Sequence, residues 1–165
     1  MVAATSSGKA TLTLPADDQI LITREFAAPR DRVYRACTDP ELVRQWWAAD
    51  MGTVTSAEID LRVGGKWRYV MVTNEGFEVA FHGEYKEIVP NERIVSTEAY
   101  EGVPDPDANA TVNTVTYEET DGGTAMTVLV QCPSKEVRDA IIESGMESGM
   151  QRSYDYLERV AQSLA

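Results

Sequence analysis

PSKEVRDAIIESGMESGMQRSYDYLERVAQSLA, residues 133–165, is the stretch whose reading decides the fold. At helical spacing Val137, Ile141, Met146, Met150, Tyr154, Leu157, Val160 or Ala161, and Leu164 fall on one broad stripe. Lys135, Arg138, Asp139, Glu143, Glu147, Gln151, Arg152, Asp155, Glu158, Arg159 and Gln162 fall mostly elsewhere. The pattern predicts one long amphipathic helix. Ser134 is placed to cap its first turn, and Glu136 sits at the positive end of the helix dipole. Ser144-Gly145 and Gly149 interrupt the run and predict a bend near Gly145. Each of these glycines stands beside a methionine, so little bulk faces the sheet and flexible thioethers line an irregular space. Two readings follow, a stripe bordering a cavity and an ordinary methionine-filled core.

The 165 residues suit one domain, with a tail at 1–18 and the domain proper over 19–165. A hydrophobic fraction of 43% and a charged fraction of 25% are those of a soluble globular protein. The net charge of −12 argues against nucleic acid and against anionic membrane surfaces, both of which require a basic face. Cys37 and Cys132 have neither metal-ligand spacing nor the density of a secreted scaffold, so reduced thiols and a cytoplasmic location are expected, with pairing between them left open. The N-terminal MVAATSSGKATLTL lacks the apolar core of a signal peptide, and no apolar run reaches membrane-spanning length.

Working back from the helix, residues 11–14 read as a short edge strand, and 19–26 alternate as the first full strand. Pro29 suits the first position of a helix carrying Val33, Ala36 and Cys37 on one side and ending near Thr38. Asp39 as N-cap, Pro40 at the next position and Glu41 open a second short helix ending in Trp46-Trp47. From residue 53 the period becomes two. Strands are expected at 57–63, 66–73, 77–89, 93–100, 111–119 and 124–131, with turns at Gly64-Gly65, 74–76, 90–92 and 121–123 and a polar, acidic loop at 101–109. Strand, two short helices, about six strands and one long helix make an α+β domain with a predominantly antiparallel sheet. One sheet face must be covered, and the terminal helix is the one element long enough to cover it.

Several motifs in this order resemble a known family: ITREFAAPRDRVYRACTDPELVRQWW at 22–47, GGKW at 64–67, HGEYKEIVPNERIV at 82–95, EETDGGTAMTV at 118–128 and SGMESGMQRSYDYLERV at 144–160. Over roughly 11–164 the chain resembles the bacterial branch of the START-like (SRPBCC) superfamily, namely homologues of the activator of the heat-shock-protein-ninety ATPase. The resemblance implies a helix-grip fold, in which a curved antiparallel sheet of about six or seven strands grips a long C-terminal helix around a largely apolar cavity. It implies binding of a small hydrophobic, lipid-like or aromatic molecule, or, as alternatives, a polyketide cyclase-like or hydrolase-like enzyme or a chaperone-contacting module. Fold alone does not choose among these.

The pocket expected from the residues is formed by Trp46, Trp47, Trp67, Tyr69, Met71, Phe81, Tyr100, Tyr117, Met126, Met146, Met150 and Tyr154, with phenol and indole groups orienting a guest. A filled core uses the same residues. The mouth is expected near residues 48–54 and 101–109, the acidic segment 101–107 being either a lid or a solvated loop. His82 and Glu84 share one side of a strand, as a potential acid/base pair or, more plainly, as a solvated pair on the outer face. Arg68 should point outward, away from Trp67 and Tyr69. One histidine and two distant cysteines speak against a metal site, no cofactor is expected, and no nucleophile and base are paired. A homodimer through a sheet edge or the exposed helix face remains open.

Overall fold

Period-two alternation builds eight strands: β1 (Thr11–Thr13), β2 (Gln19–Phe26), β3 (Gly52–Ile59), β4 (Lys66–Thr73), β5 (Glu78–Val89), β6 (Arg93–Tyr100), β7 (Thr111–Thr120) and β8 (Gly123–Gln131). The four helices are α1 (Arg30–Thr38), α2 (Pro40–Trp46), α3 (Lys135–Glu143) and α4 (Met146–Ser163). The computed structural model describes residues 9–164; positions 1–8 of the expected tail and Ala165 lie outside them. The strands form one sheet in the order β1-β2-β8-β7-β6-β5-β4-β3, every neighbouring pair antiparallel. Two bulges, between Val54 and Ser56 and between Tyr85 and Glu87, break the register and bend the sheet.

Three differences from the sequence reading have clear causes. The sheet has eight strands rather than six or seven, because residues 11–13 pair with β2 and complete its edge. The strand expected at 57–63 lies upstream at β3. Residues 60–65 instead close a tight loop in which Arg62 bonds Asp60 at 2.9 Å, and the amide of Gly64 donates to the Tyr85 carbonyl at 2.8 Å. A Cβ on Gly65 would stand 2.0 Å from the Asp60 carbonyl oxygen, so only glycine closes that loop. The single terminal helix is two helices. Ser134 caps α3 by accepting from the Val137 amide at 3.2 Å, and the chain breaks where Gly145 adopts φ +82°.

The inner face of the sheet is set by β2, where Ile20, Ile22, Arg24 and Phe26 are all buried. Register carries that face across Met126, Val128 and Val130 of β8, Tyr117 of β7, Ile94 of β6, and Trp67 and Met71 of β4. Helix α1 lies against β7 and β8, α2 against β3, and both pack on α4. Trp46 donates its indole N–H to the Ala36 carbonyl at 2.9 Å, locking α2 to α1. Ser153 donates to the Trp47 carbonyl at 2.8 Å, locking α2 to α4.

The third inner residue of β2 is a charge. Arg24 is 1% exposed and reaches α4, with Nη2 3.1 Å from Asp155 and Nη1 3.5 Å from Glu158. It lies over the Phe26 ring at 4.7 Å and also donates to the Glu25 carbonyl, while Nε finds no partner among the described residues. Removing it would leave two carboxylates without their cation and a hole beneath the helix. Arg24→Ala is expected to lower stability by about 3 kcal/mol in urea unfolding, with Arg24→Lys recovering only part because a point charge cannot fork to both acids.

Candidate functional site

Helix α4 is held above the inner face by large side chains rather than by close backbone contact. Among the expected pocket residues, Trp46, Trp67, Met71, Tyr117 and Met126 are each buried to below a tenth exposure and belong to the packed core. Trp47, Tyr69, Phe81, Met146, Met150 and Tyr154 pack against that core and keep accessible surface. Tyr100 is 42% exposed at the rim. The structure thus brings the set together but divides it into a buried part and a part that keeps accessible surface.

The open part is organised by ring contacts. Trp47 meets Tyr69 at 5.5 Å and Phe81 at 5.7 Å, both edge to face. Trp67 lies 4.7 Å from Tyr69, and Phe81 lies 5.0 Å from Tyr100. From α4, Tyr154 meets Phe26 at 6.0 Å. Register explains the convergence, since Tyr69 is opposite Phe81, which is opposite Tyr100. The room beside Gly149 is occupied by Met51, whose sulfur and terminal methyl lie 3.6 Å from where a Cβ would stand.

One residue of this region escaped the sequence reading. Glu98 alternates with Tyr100 along β6, so it points inward, and its Oε1 accepts from Asn113 Nδ2 at 2.9 Å. Asn113 is oriented in turn by Thr111, whose hydroxyl donates to its Oδ1 at 2.9 Å. Among the described residues Oε2 of Glu98 has no hydrogen-bond partner, yet it is not sealed from solvent either. Alternation from Tyr100 was the signal that could have found it.

Desolvation is the leading cause of perturbed acidities here. It raises the Glu98 carboxyl, against the lowering effect of Asn113. It raises the phenols of Tyr69 and Tyr154, both of which also feel Glu98, and pushes the Cys37 thiol up to about 12. These four groups are deep in the protein and still retain accessible surface. Cys37 and Cys132 are both free thiols. Two open surface grooves, of about 350 Å³ beside Arg30, Asn91 and Glu119 and about 520 Å³ beside Ala10, Glu147 and Gln151, touch none of these four.

The chain belongs to the family described as Activator of Hsp90 ATPase homolog 1-like protein. Its family profile matches residues 27–162, most of the chain. No curated protein matches. Among solved structures, a Rhodobacter sphaeroides protein is 25% identical with a TM-score of 0.85, covering 94% of this chain and 100% of its own. A Chromobacterium violaceum protein is 28% identical with a TM-score of 0.77, covering 90% and 100%. The protein DynU16, from the dynemicin biosynthetic locus, shares the fold at 22% identity and a TM-score of 0.63, covering 90% of this chain and 48% of its own. The antiparallel sheet around a long C-terminal helix is therefore the START-like, helix-grip architecture of that family.

The acidic segment after β6 does not cover the inner face. It folds over the outer face, because Arg68 and His82 point outward and attract its carboxylates. Glu101 accepts two bonds from Arg68, at 2.8 and 2.9 Å, and meets His82 Nδ1 at 2.8 Å; Asp107 meets His82 Nε2 at 2.6 Å. Val70, Ala80 and Ala99, on that same outward side, are buried. His82 is therefore not paired with Glu84, which binds Lys86 at 3.1 Å. Among the described residues no cluster is arranged to hold a metal ion, and no helix is long and apolar enough to cross a membrane.

Two predictions follow from these charges. Asp107, and then Glu101, raise the His82 imidazole, while Arg68 first and then His82 bring the Glu101 carboxyl down to about 2. A raised imidazole strengthens the strap below the ordinary histidine range, and that contribution fades as pH climbs through the raised value. Amide hydrogen exchange at Asn109 and Ala110, corrected for intrinsic rates, should accelerate across that interval and be insensitive to it in His82→Ala. For Glu98 the sign is opposite. A carboxyl raised in the folded state destabilises progressively as pH rises above 4.5, its ordinary value. Glu98→Gln, which keeps the Asn113 bond, should be more stable than the parent at neutral pH and equal to it near pH 4 in paired thermal unfolding.

Proposed function

We propose that this protein is a non-catalytic receptor that encloses a small apolar or aromatic molecule between α4 and the inner face of β4 to β6. The observation that carries the reading is the split within the aromatic set. Trp47, Tyr69, Phe81 and Tyr154 keep accessible surface while their neighbours Trp46, Trp67, Tyr117 and Met126 are buried. A core selected only for stability would close over such rings, since each represents a large unrealised burial. The methionines of α4 suit the role, as thioether chains adapt to guests of different outline. No nucleophile and base are paired among the described residues near the gap, and the Cys37 thiol is held protonated, which speaks for holding rather than turning over the guest.

A second reading, a cyclase-like enzyme, is favoured by one observation, a carboxyl held toward its protonated form beside phenols. It requires turnover that Glu98→Gln abolishes.

The receptor reading is tested by thermal shift and native mass spectrometry against aromatic polyketide and lipid-like compounds. A true ligand at a hundred times its Kd should stabilise the protein by about 2.7 kcal/mol. Trp47→Ala and Met150→Glu should remove that shift, whereas the outer-face change Arg68→Ala should leave it intact. Loss in all three alike would place the guest elsewhere.

A further inference from the structure

Glu98 is an unusual group to find on the inner face of this sheet. One oxygen accepts from Asn113; the other has no hydrogen-bond partner among the described residues and is not sealed from water. A guest covering that oxygen would strip its hydration, and a carboxylate so desolvated normally has a cation or several donors beside it. Arg24, the buried guanidinium of the inner face, is already engaged by Asp155, Glu158 and the Glu25 carbonyl. The groups coupled to Glu98 are the phenols of Tyr69 on β4 and Tyr154 on α4. Cys37 on α1 is coupled to both phenols. None of these three carries positive charge.

We infer that the guest is an organic cation with an apolar body, its ammonium group seated against Glu98 and the faces of the surrounding aromatic rings. The inference rests on the receptor reading and names the ligand class for that same space. Aromatic faces attract cations, most strongly where water is excluded, and Trp47, Tyr69, Phe81 and Tyr154 supply four such rings around the gap. The carboxylate supplies the compensating charge, so guest and host desolvate as a neutral pair. The net charge of −12 favours encounter with cations in addition. A neutral guest without a hydrogen-bond donor would cover the ionised Glu98 with its second oxygen unsatisfied, and an anionic guest would set like charges against each other.

The burial that raises the Glu98 carboxyl gives the inference a second signature. A cation prefers the ionised carboxylate, so its affinity should increase with pH until Glu98 is fully ionised and then level off. Tyr69, Tyr154 and Cys37 are all shifted upward by burial and stay neutral through that interval, so they do not contribute to the change.

The test pairs benzyltrimethylammonium with neopentylbenzene, which has the same shape and no charge, in calorimetric and Trp-fluorescence titrations of the full chain. The ammonium compound should bind at least about tenfold more tightly than its neutral isostere. Glu98→Gln should erase that preference while leaving neopentylbenzene binding unchanged. In the parent protein only the ammonium affinity should rise with pH. Equal affinities, a preference that survives in Glu98→Gln, or binding that strengthens toward acid would each overturn the cation assignment while leaving the receptor reading in place, provided neopentylbenzene binds. Failure of both probes to bind overturns the assignment together with the space it depends on.

Discussion

The contact between Arg24 and the acids of α4 constrains the rest of this molecule. A helix covering a curved sheet is free, on hydrophobic grounds alone, to roll about its axis, since burial is not directional. The guanidinium removes that freedom. Its fork meets Asp155 at 3.1 Å and Glu158 at 3.5 Å, and Glu158 also accepts from the Ala27 amide at 2.8 Å. With those positions fixed, Tyr154 meets Phe26, and Leu157 and Ala161 are fully buried. Ser153 and Gln151 extend the same registration, the first to the end of α2 and the second to both backbone groups of Ala10 on the β1 side.

Rotation of α4 decides what the interior can be. The half held by Trp46, Trp67, Tyr117 and Met126 is buried, and the half that includes Trp47, Tyr69, Phe81 and Tyr154 keeps accessible surface. Into the second half the sheet projects one carboxyl, fixed by an Asn113 and Thr111 relay rather than by a cation. An unpaired acid in such a place costs stability, and interiors that tolerate that cost usually do so at sites of function. The outer face shows the contrasting solution. There the charges of Arg68, His82, Glu101 and Asp107 satisfy one another and strap a ten-residue turn to the sheet. The same residue types thus serve closure on one face and leave an unmet demand on the other.

The sequence carried the architecture because each element had a local signature. The Asp39-Pro40-Glu41 start of α2 appears as read, with the Asp39 side chain accepting from the Glu41 amide at 3.0 Å. Ser134 caps α3, and strands β2 and β6 lie where alternation placed them. Gly145 was legible as a bend but not as a full break, since whether a left-handed glycine bends or ends a helix depends on what the next turn packs against. Residues 57–63 misled because Leu61 and Val63 look strand-like while their backbone is diverted into the Gly64-Gly65 loop, leaving Val63 62% exposed.

By itself the chain determined the class of fold, the order of its elements, the shared face of Trp67, Tyr69 and Met71 and the aromatic and methionine residues available to a guest, because capping, periodicity and turn chemistry act over a few residues. Only the tertiary structure decided which rings are buried and which keep accessible surface, where the acidic segment lies, and that Arg24 is met by two acids while Glu98 is met by an amide. Those outcomes depend on distances between residues as far apart in sequence as 24 and 155 or 98 and 113. Electrostatic balance in a desolvated space is a property of such assembled neighbours, and no local pattern encodes it.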